Sequence, residues 1–312
     1  ARVLVVKLGA LGDVLLAEGA LRDIREHHPG ARISLLTRRP FSALLRRCPW
    51  VDAVLVDENH PRWRLDAMWR LARRLRAERF DLAYDLQNSR RSAFYLTRLL
   101  RGVTWSGTDA RATLRTGHPA PATLPVLQRH AVQLIDAGLS ARHAIEPRAD
   151  WLCDPVDDLL DAARVQAPFA VLLPGSSARG AAKRWPHYAE LAKRLAARGL
   201  LPVTVPGPEE LDAFGDFPGI CLRTPDGRAL DLHALAGVLR RAAAVVGNDS
   251  GPTHLAASLG LPGVALFGTD AAQAARTCLG RRRMRALVSP GFKDLDAIAV
   301  DACLAEAIQI GA

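Results

Sequence analysis

Three stretches of the chain set acids or cations among small residues at the opening of a helix. In Lys7-Leu8-Gly9-Ala10-Leu11-Gly12-Asp13 an apolar strand passes through small residues to a carboxylate. In Asn248-Asp249-Ser250-Gly251-Pro252-Thr253-His254 a second strand meets an acid, a hydroxyl, a glycine and a proline just ahead of the helix Leu255–Leu259. A carboxylate in the position of Asp13 has a structural use as a helix cap, worth about 1 kcal/mol, and a chemical one as a general base. The second stretch carries a helix-start signal, a capping residue followed by proline. The first-turn N–H groups of such a helix lack internal partners and lie at the positive end of its dipole, so they suit a phosphate. His254 is either a polar residue satisfied by a neighbour or a donor to a phosphate or sugar oxygen.

The third stretch is Pro174-Gly175-Ser176-Ser177-Ala178-Arg179-Gly180-Ala181-Ala182-Lys183-Arg184-Trp185-Pro186. Its small residues, Ser176 and Ser177 among them, let backbone N–H groups approach a phosphate that Lys183 or Arg184 could neutralise. The spacing is neither that of a P-loop nor that of a dinucleotide fingerprint. Asp294-Leu295-Asp296 is the one D-x-D, at a helix start, where acids serve the helix dipole; no metal site is expected there. Zinc-protease, serine-hydrolase and Cys/His protease signatures are absent.

The elements that must hold these residues alternate. Uniformly apolar strands are expected at residues 2–7, Arg32–Leu36, Ala53–Val56 and Asp81–Tyr84, with helices Val14–His27, Phe41–Arg47, Arg62–Ala77 and Arg91–Leu100. From Phe169 the pattern restarts: strands Ala170–Leu173, Pro202–Val205, Gly219–Leu222, one at Val245 and one ending at Gly268, with helices Pro186–Ala197, Glu209–Phe214 and Leu232–Arg241. Strand–helix alternation at this spacing gives right-handed crossovers, an α/β class and two doubly wound parallel sheets, with ligands expected in a cleft at the strands' carboxyl ends. Residues 1–150 form an N-terminal Rossmann-like domain and 169–312 a C-terminal one. Residues 151–168, proline-marked and carrying the acidic run Asp154–Asp161, are expected as a linker. The last helix, Asp294–Ile308, is free to pack back on the N-terminal domain. Ser106 to Leu127 shows no periodicity and reads as a loop over the cleft, with Arg111, Arg115 and His118 inside it.

The 312 residues carry a formal charge of +10 with 49% apolar and 24% charged residues, a globular composition that favours anionic partners. No window approaches 18 apolar residues, so neither a membrane span nor a signal peptide is expected. Cys48, Cys153, Cys221, Cys278 and Cys303 are scattered and odd in number, as for reduced thiols in the cytoplasm. Aromatics are 5% and show no stacking pattern, which argues against nucleic acid. Helix 62–77 sets an apolar stripe (Leu65, Met68, Trp69, Ala72, Leu75) against Arg62, Arg64, Arg70, Arg73, Arg74 and Arg76. It reads as a sheet-covering helix with a solvated basic face, or as a surface for anionic lipid headgroups.

Lys7–Leu16, Asp81–Gln87 (DLAYDLQ), Pro174–Pro186 and Asn248–Gly268, in this order, resemble the bacterial ADP-heptose:lipopolysaccharide heptosyltransferases. The resemblance implies the GT-B architecture, an N-terminal acceptor domain and a C-terminal nucleotide-sugar domain. It implies inverting, metal-independent transfer of heptose from ADP-heptose, with no cofactor, to an acceptor hydroxyl of the lipopolysaccharide inner core (Kdo-lipid A or heptosylated core). Asp13 matches the general base, Lys183 a lysine on the donor's phosphate or sugar, Asp249 an acid on the heptose. Ser250, Gly251 and His254 match the diphosphate site, and Glu209 a glutamate near the nucleoside. Lys7, Arg111 and Arg115 are the cations expected on the side of an anionic acceptor. Such an enzyme would be cytoplasmic, peripheral at the inner membrane, with no obligate protein partner. Two departures stand out: Ala17-Glu18-Gly19 where the family has Thr-Pro, and Thr269–Gln273 where it has Pro-Thr. The alternatives are an ADP-heptose transferase with a protein or small-metabolite acceptor, a nucleotide-sugar 2-epimerase, and a non-catalytic nucleotide- or lipid-binding module.

Overall fold

A computed structural model describes residues 1–117, 124–166, 168–175, 183–211 and 217–309. The chain divides into two compact units, Ala1–Pro147 and Arg148–Ala312.

The first unit holds six strands, β1 (Arg2–Val6), β2 (Arg32–Arg38), β3 (Ala53–Asp57), β4 (Leu82–Asp85), β5 (Thr104–Gly107) and β6 (Leu114–Arg115). They pair in parallel in the order β3-β2-β1-β4-β5-β6. The second unit repeats this with β7 (Phe169–Leu173), β8 (Leu201–Thr204), β9 (Ile220–Cys221), β10 (Ala244–Asn248), β11 (Gly263–Phe267) and β12 (Met284–Val288). Its order, β12-β11-β10-β7-β8-β9, is again fully parallel. Both are the 3-2-1-4-5-6 order of the doubly wound fold. The chain reverses its winding between β1 and β4 in one unit and between β7 and β10 in the other. There the loops diverge and leave an opening at the strands' carboxyl ends. Central strands such as β1, β7 and β10 are buried on both faces, which is why their sequences read as unbroken apolar runs.

The helices of the first unit are α1 (Leu11–Leu16), α2 (Glu18–His27), α3 (Arg39–Leu45), α4 (Leu65–Ala77), α5 (Arg90–Phe94) and α6 (Val126–Asp136). The single helix expected over Val14–His27 is two, broken at Ala17. The expected helix Arg91–Leu100 is α5 followed by a π-helical turn, Tyr95–Leu99. The stretch expected as a long loop contains the end of β5, the strand β6 and the start of α6. Thr108 is tied through its N–H to Asn88 Oδ1 at 2.8 Å. Short edge strands carry too few residues to show alternation, so periodicity missed them.

Helix α4 corrects the expected stripe. Its buried residues are Ala67, Met68, Leu71, Ala72 and Leu75, packed with Leu96, Leu99 and Phe80 over the sheet. Leu65 and Trp69 are 77% and 61% exposed. Ala67 and Leu71 rotate the buried arc away from them; two registers of period 3.6 overlapped in the sequence, and the sheet selected one.

The second unit has α7 (Asp157–Ala162), α8 (Tyr188–Ala197), α9 (Leu232–Arg241), α10 (Gly251–Leu259), α11 (Ala271–Thr277) and α12 (Ala297–Gln309). Asp231 caps α9 by accepting from the N–H groups of His233 and Ala234 at 3.0 and 2.9 Å. The stretch read as a linker carries a 3-10 turn, Asp150–Leu152, and α7, with Leu152 and Leu160 buried. Of its acids, Asp157 and Asp158 stand in the first turn of α7, where they complement the dipole. Helix α12 lies on its own unit: Val300 and Leu304 share a core with Leu191 and Leu195 of α8. Half of the expected helix Glu209–Phe214, residues 212–214, lies outside the described residues. None of the five cysteines is in a disulfide.

Candidate active site

In the first unit the chain leaves β1 at Val6 and turns through Lys7–Ala10 into α1. Gly9 has φ of 145° with the Phe41 ring against it, a backbone setting suited to glycine. The turn is held from β4. Gln87 Oε1 accepts from the N–H groups of Leu8 and Gly9 at 2.8 and 3.3 Å. Asp85 Oδ1 accepts from the N–H groups of Gln87 and Asn88 at 3.1 and 2.9 Å. Gln133 of α6 donates to the carbonyls of Asp85 and Ser106 and accepts from Asn88 Nδ2 at 2.7 Å. The DLAYDLQ stretch is therefore the scaffold of the turn.

Asp13 is half-buried in the first turn of α1 and accepts from the N–H of Ala10 at 3.2 Å. That weak contact occupies one oxygen, so the cap and a carboxylate available to a substrate hydroxyl coexist. Lys7 lies beneath, 5% exposed. Its ammonium donates to the Leu86 carbonyl at 3.1 Å and stands 3.4 Å from His130 Nε2. Burial brings its pKa down to about 8 against the pull of Asp13. Burial likewise lifts Asp85 to about 6, opposed by its backbone and Ser92 hydrogen bonds and by Lys7. His130, buried beside Lys7 and Arg129, is held well below the usual imidazole range, first by desolvation and then by these cations. It is neutral at physiological pH. Lys7 is thus an internal cation of the turn and not an exposed one.

Arg111 and Arg115 are exposed. Arg111 grips Asp109 through two 2.8 Å bonds, and Arg115 stands on β6 opposite Gly107. His118 lies outside the described residues.

At the first departure, a side chain on Gly19 would sit 1.9 Å from the His143 carbonyl. Glycine there admits the backbone that follows α6. Glu18 accepts from Trp50 Nε1 at 2.6 Å. Asp23 accepts from the N–H groups of His143 and Ala144. It lies with Glu26 and His143 close enough to hold a cation, but these backbone bonds already give it a structural use.

The second unit builds its site where β7 and β10 end. Asn248, fully buried, donates to the Pro174 carbonyl at 2.9 Å. Its Oδ1 accepts from the Trp185 N–H at 3.2 Å and the Tyr188 hydroxyl at 3.1 Å. One side chain thereby ties together both strand ends and the entry to α8. A Cβ on Gly247 would lie 2.3 Å from Thr253 Oγ1. That hydroxyl donates to the Asn248 carbonyl at 2.6 Å.

Over this base Lys183 Nζ donates to Asp249 Oδ2 at 2.6 Å, and His254 Nε2 stands 3.9 Å from Asp249 Oδ1. Ser250 is the N-cap of α10, and its hydroxyl lies 3.0 Å from Thr253 Oγ1 without capping a first-turn N–H. Gly251, with Pro252 after it, opens the helix; Gly260, φ 77°, closes it. Lys183, Asp249, Ser250, Gly251 and His254, read from separated motifs, meet at one helix start. Ser176 and Ser177 lie outside the described residues.

Glu209 is exposed. Its neighbour Glu210 turns inward, accepting from the Gly207 N–H at 3.3 Å and facing Arg184 at 3.3 Å. A side chain on Gly175 would meet its carboxylate at 2.1 Å. Two adjacent glutamates cannot be ranked by sequence; the turn at Gly207 decides which points in. At the second departure Asp270 caps α11, accepting from the Gln273 N–H at 2.7 Å.

The profile of Glycosyltransferase family 9 (heptosyltransferase) matches residues 68–288. Lipopolysaccharide heptosyltransferase 2 of Salmonella typhimurium is 28% identical, over 86% of this chain and 82% of that one. A family 9 glycosyl transferase structure from Veillonella parvula superposes with a TM-score of 0.80 at 18% identity, covering 99% and 97% of the two chains. The structure of E. coli heptosyltransferase WaaC with ADP-2-deoxy-2-fluoro heptose superposes with a TM-score of 0.74 at 24% identity, covering 98% and 99%.

Proposed function

The chain belongs to glycosyltransferase family 9, the heptosyltransferases, and from that premise we propose that it moves heptose from ADP-heptose to a hydroxyl of the lipopolysaccharide inner core. The transfer is metal-independent and inverts the anomeric centre. Asp13 takes the acceptor hydroxyl's proton as that oxygen bonds to the anomeric carbon. The bond from that carbon to the diphosphate breaks, and its electron pair leaves with ADP. The charge gathering on the diphosphate is met by the first-turn N–H groups of α10 and by Lys183. Asp249, already bonded to Lys183, holds the ammonium in place and presents its other oxygen to the sugar hydroxyls. The enzyme acts in the cytoplasm, at the membrane face where its lipid acceptor is found.

The observation that carries this reading is the 2.6 Å pairing of Lys183 with Asp249, two residues before α10 opens, at the winding reversal of its sheet. It favours a phosphorylated sugar over any neutral ligand. The test is turnover of ADP-heptose by the purified protein with Kdo-lipid A. Release of ADP with a heptosylated lipid is expected. Donor hydrolysis without transfer would remove this acceptor from the reading, and a lack of any ADP release would remove the transferase itself.

A further inference from the structure

The face of α4 turned away from the sheet has a composition that a merely solvated surface does not need. Trp63, Leu65 and Trp69 are 80%, 77% and 61% exposed. On a helix at about 100° per residue, Leu65, Trp69, Arg73 and Arg76 fall within about 80° of arc. Residues 62–77 hold six arginines against one aspartate, Asp66. Asp66 is engaged by Arg64 and Arg70 at 3.1 and 2.8 Å. Arg62 and Arg73 have no carboxylate partner among the described residues and lie over rings instead, Arg73 over Trp69 at 5.0 Å and Arg62 over Phe94 at 5.7 Å. The adjoining cleft is lined by His60, Arg70 and Arg74. Its acids are answered elsewhere: Asp57 by Arg91 at 2.9 Å, Glu58 by Arg39.

We infer that this face docks on an anionic lipid bilayer. Two tryptophans and a leucine beside unneutralised arginines match the interfacial layer of a membrane. Indole rings settle at headgroup depth, and arginines meet lipid phosphates. Charge complementarity selects this occupant: a protein partner would have to present both an apolar pocket and a dense acidic rim, whereas an anionic leaflet offers both everywhere. The face lies outside the residues assigned to donor and base. Its link to the transferase reading is one of purpose only, since docking would bring the enzyme to a lipid-borne acceptor. The α4 core beneath is complete without it, so substitutions on this face leave the fold intact.

The test uses the full chain without donor or acceptor. Vesicles of phosphatidylcholine and phosphatidylglycerol in equal parts should sediment the protein, and pure phosphatidylcholine vesicles should not. Raising the salt should weaken binding, because surface charge is screened. Trp63→Ala with Trp69→Ala, and separately Arg62→Glu with Arg73→Glu, should each lower the bound fraction at least tenfold with unchanged circular dichroism. Each should leave donor turnover with a water-soluble acceptor unchanged. Equal binding to both vesicle types, or full binding by either double variant, would overturn the inference. So would a protein that ignores vesicles but self-associates until Trp69→Arg separates it. Loss of transfer with vesicle binding intact would count against the transferase reading alone.

Discussion

The two units share one strand order and put it to opposite electrostatic uses. At the carboxyl end of β1 the cation is inside: Lys7 is buried, held by the Leu86 carbonyl and a neutral His130. The turn above it is pinned from β4 and α6. At the carboxyl end of β10 the ions stand at the surface of the loop, with Lys183 41% and Asp249 15% exposed, and what is buried is a neutral amide, Asn248. A buried charge fixes geometry at a cost in solvation. An ion pair whose ammonium is partly exposed costs less to open than a buried one and can exchange its partner for a ligand. Under the proposed mechanism the first arrangement would hold the turn that carries the base still, and the second would hand a charge to a phosphate.

The sharpest way to break the comparison is a paired substitution. Asp13→Ala should lower transfer by about 10²–10⁴-fold, the usual range for a lost general base, with donor affinity unchanged by calorimetry. Lys183→Ala should weaken donor binding by about tenfold to a hundredfold, one lost charge-assisted bond. If both variants lost donor affinity alike, the division of labour would be wrong. Asn248→Leu should come next, lowering stability by about 2–4 kcal/mol in urea titration, because the Pro174 carbonyl, Trp185 N–H and Tyr188 hydroxyl lose their partner in the interior. Wild-type stability after this change would mean the loops need no common anchor.

The smallest effect is a pH dependence. Lys7 has a folded pKa of about 8, below the ordinary 10.5, so between these values the unfolded chain binds more protons. Stability should therefore gain a rising contribution from pH 8 to 10.5, while below pH 8 the full penalty of burying the ammonium is present. Lys7→Met should flatten that rise in melting temperature. An identical slope in the variant would show that the ammonium is not desolvated as its surroundings imply.

Much of this was legible before any coordinates. Continuous apolar strands separated by amphipathic helices dictate a parallel sheet, because only burial on both faces tolerates such runs. The restart at Phe169 dictates a second sheet. Asp249, Ser250 and Gly251 were readable as a phosphate-ready helix start because capping is local chemistry. Asn248 was not: its role depends on Pro174, Trp185 and Tyr188, 60 to 74 residues away along the chain. Gln133 was equally silent, since an amide in α6 gives no signal until α6 crosses the ends of β4 and β5. Glu209 and Glu210 differ only in where one turn points them. In the helix over 62–77, Met68, Ala72 and Leu75 of the expected stripe are buried, whereas Leu65 and Trp69 are exposed, because the sequence supports two faces and only the sheet chooses.

Sequence by itself determined the two α/β halves, the helix starts that carry Asp13 and Asp249, the basic character of α4 and, by resemblance, the family. Those features follow from periodicity and capping, which act over a few residues. Tertiary structure alone decided that Lys7 is internal, that Lys183 reaches Asp249, that Glu210 and not Glu209 turns inward, and that Trp69 faces outward. Each of these depends on which distant segment fills the space beside a side chain, and packing settles that only once the sheets are formed.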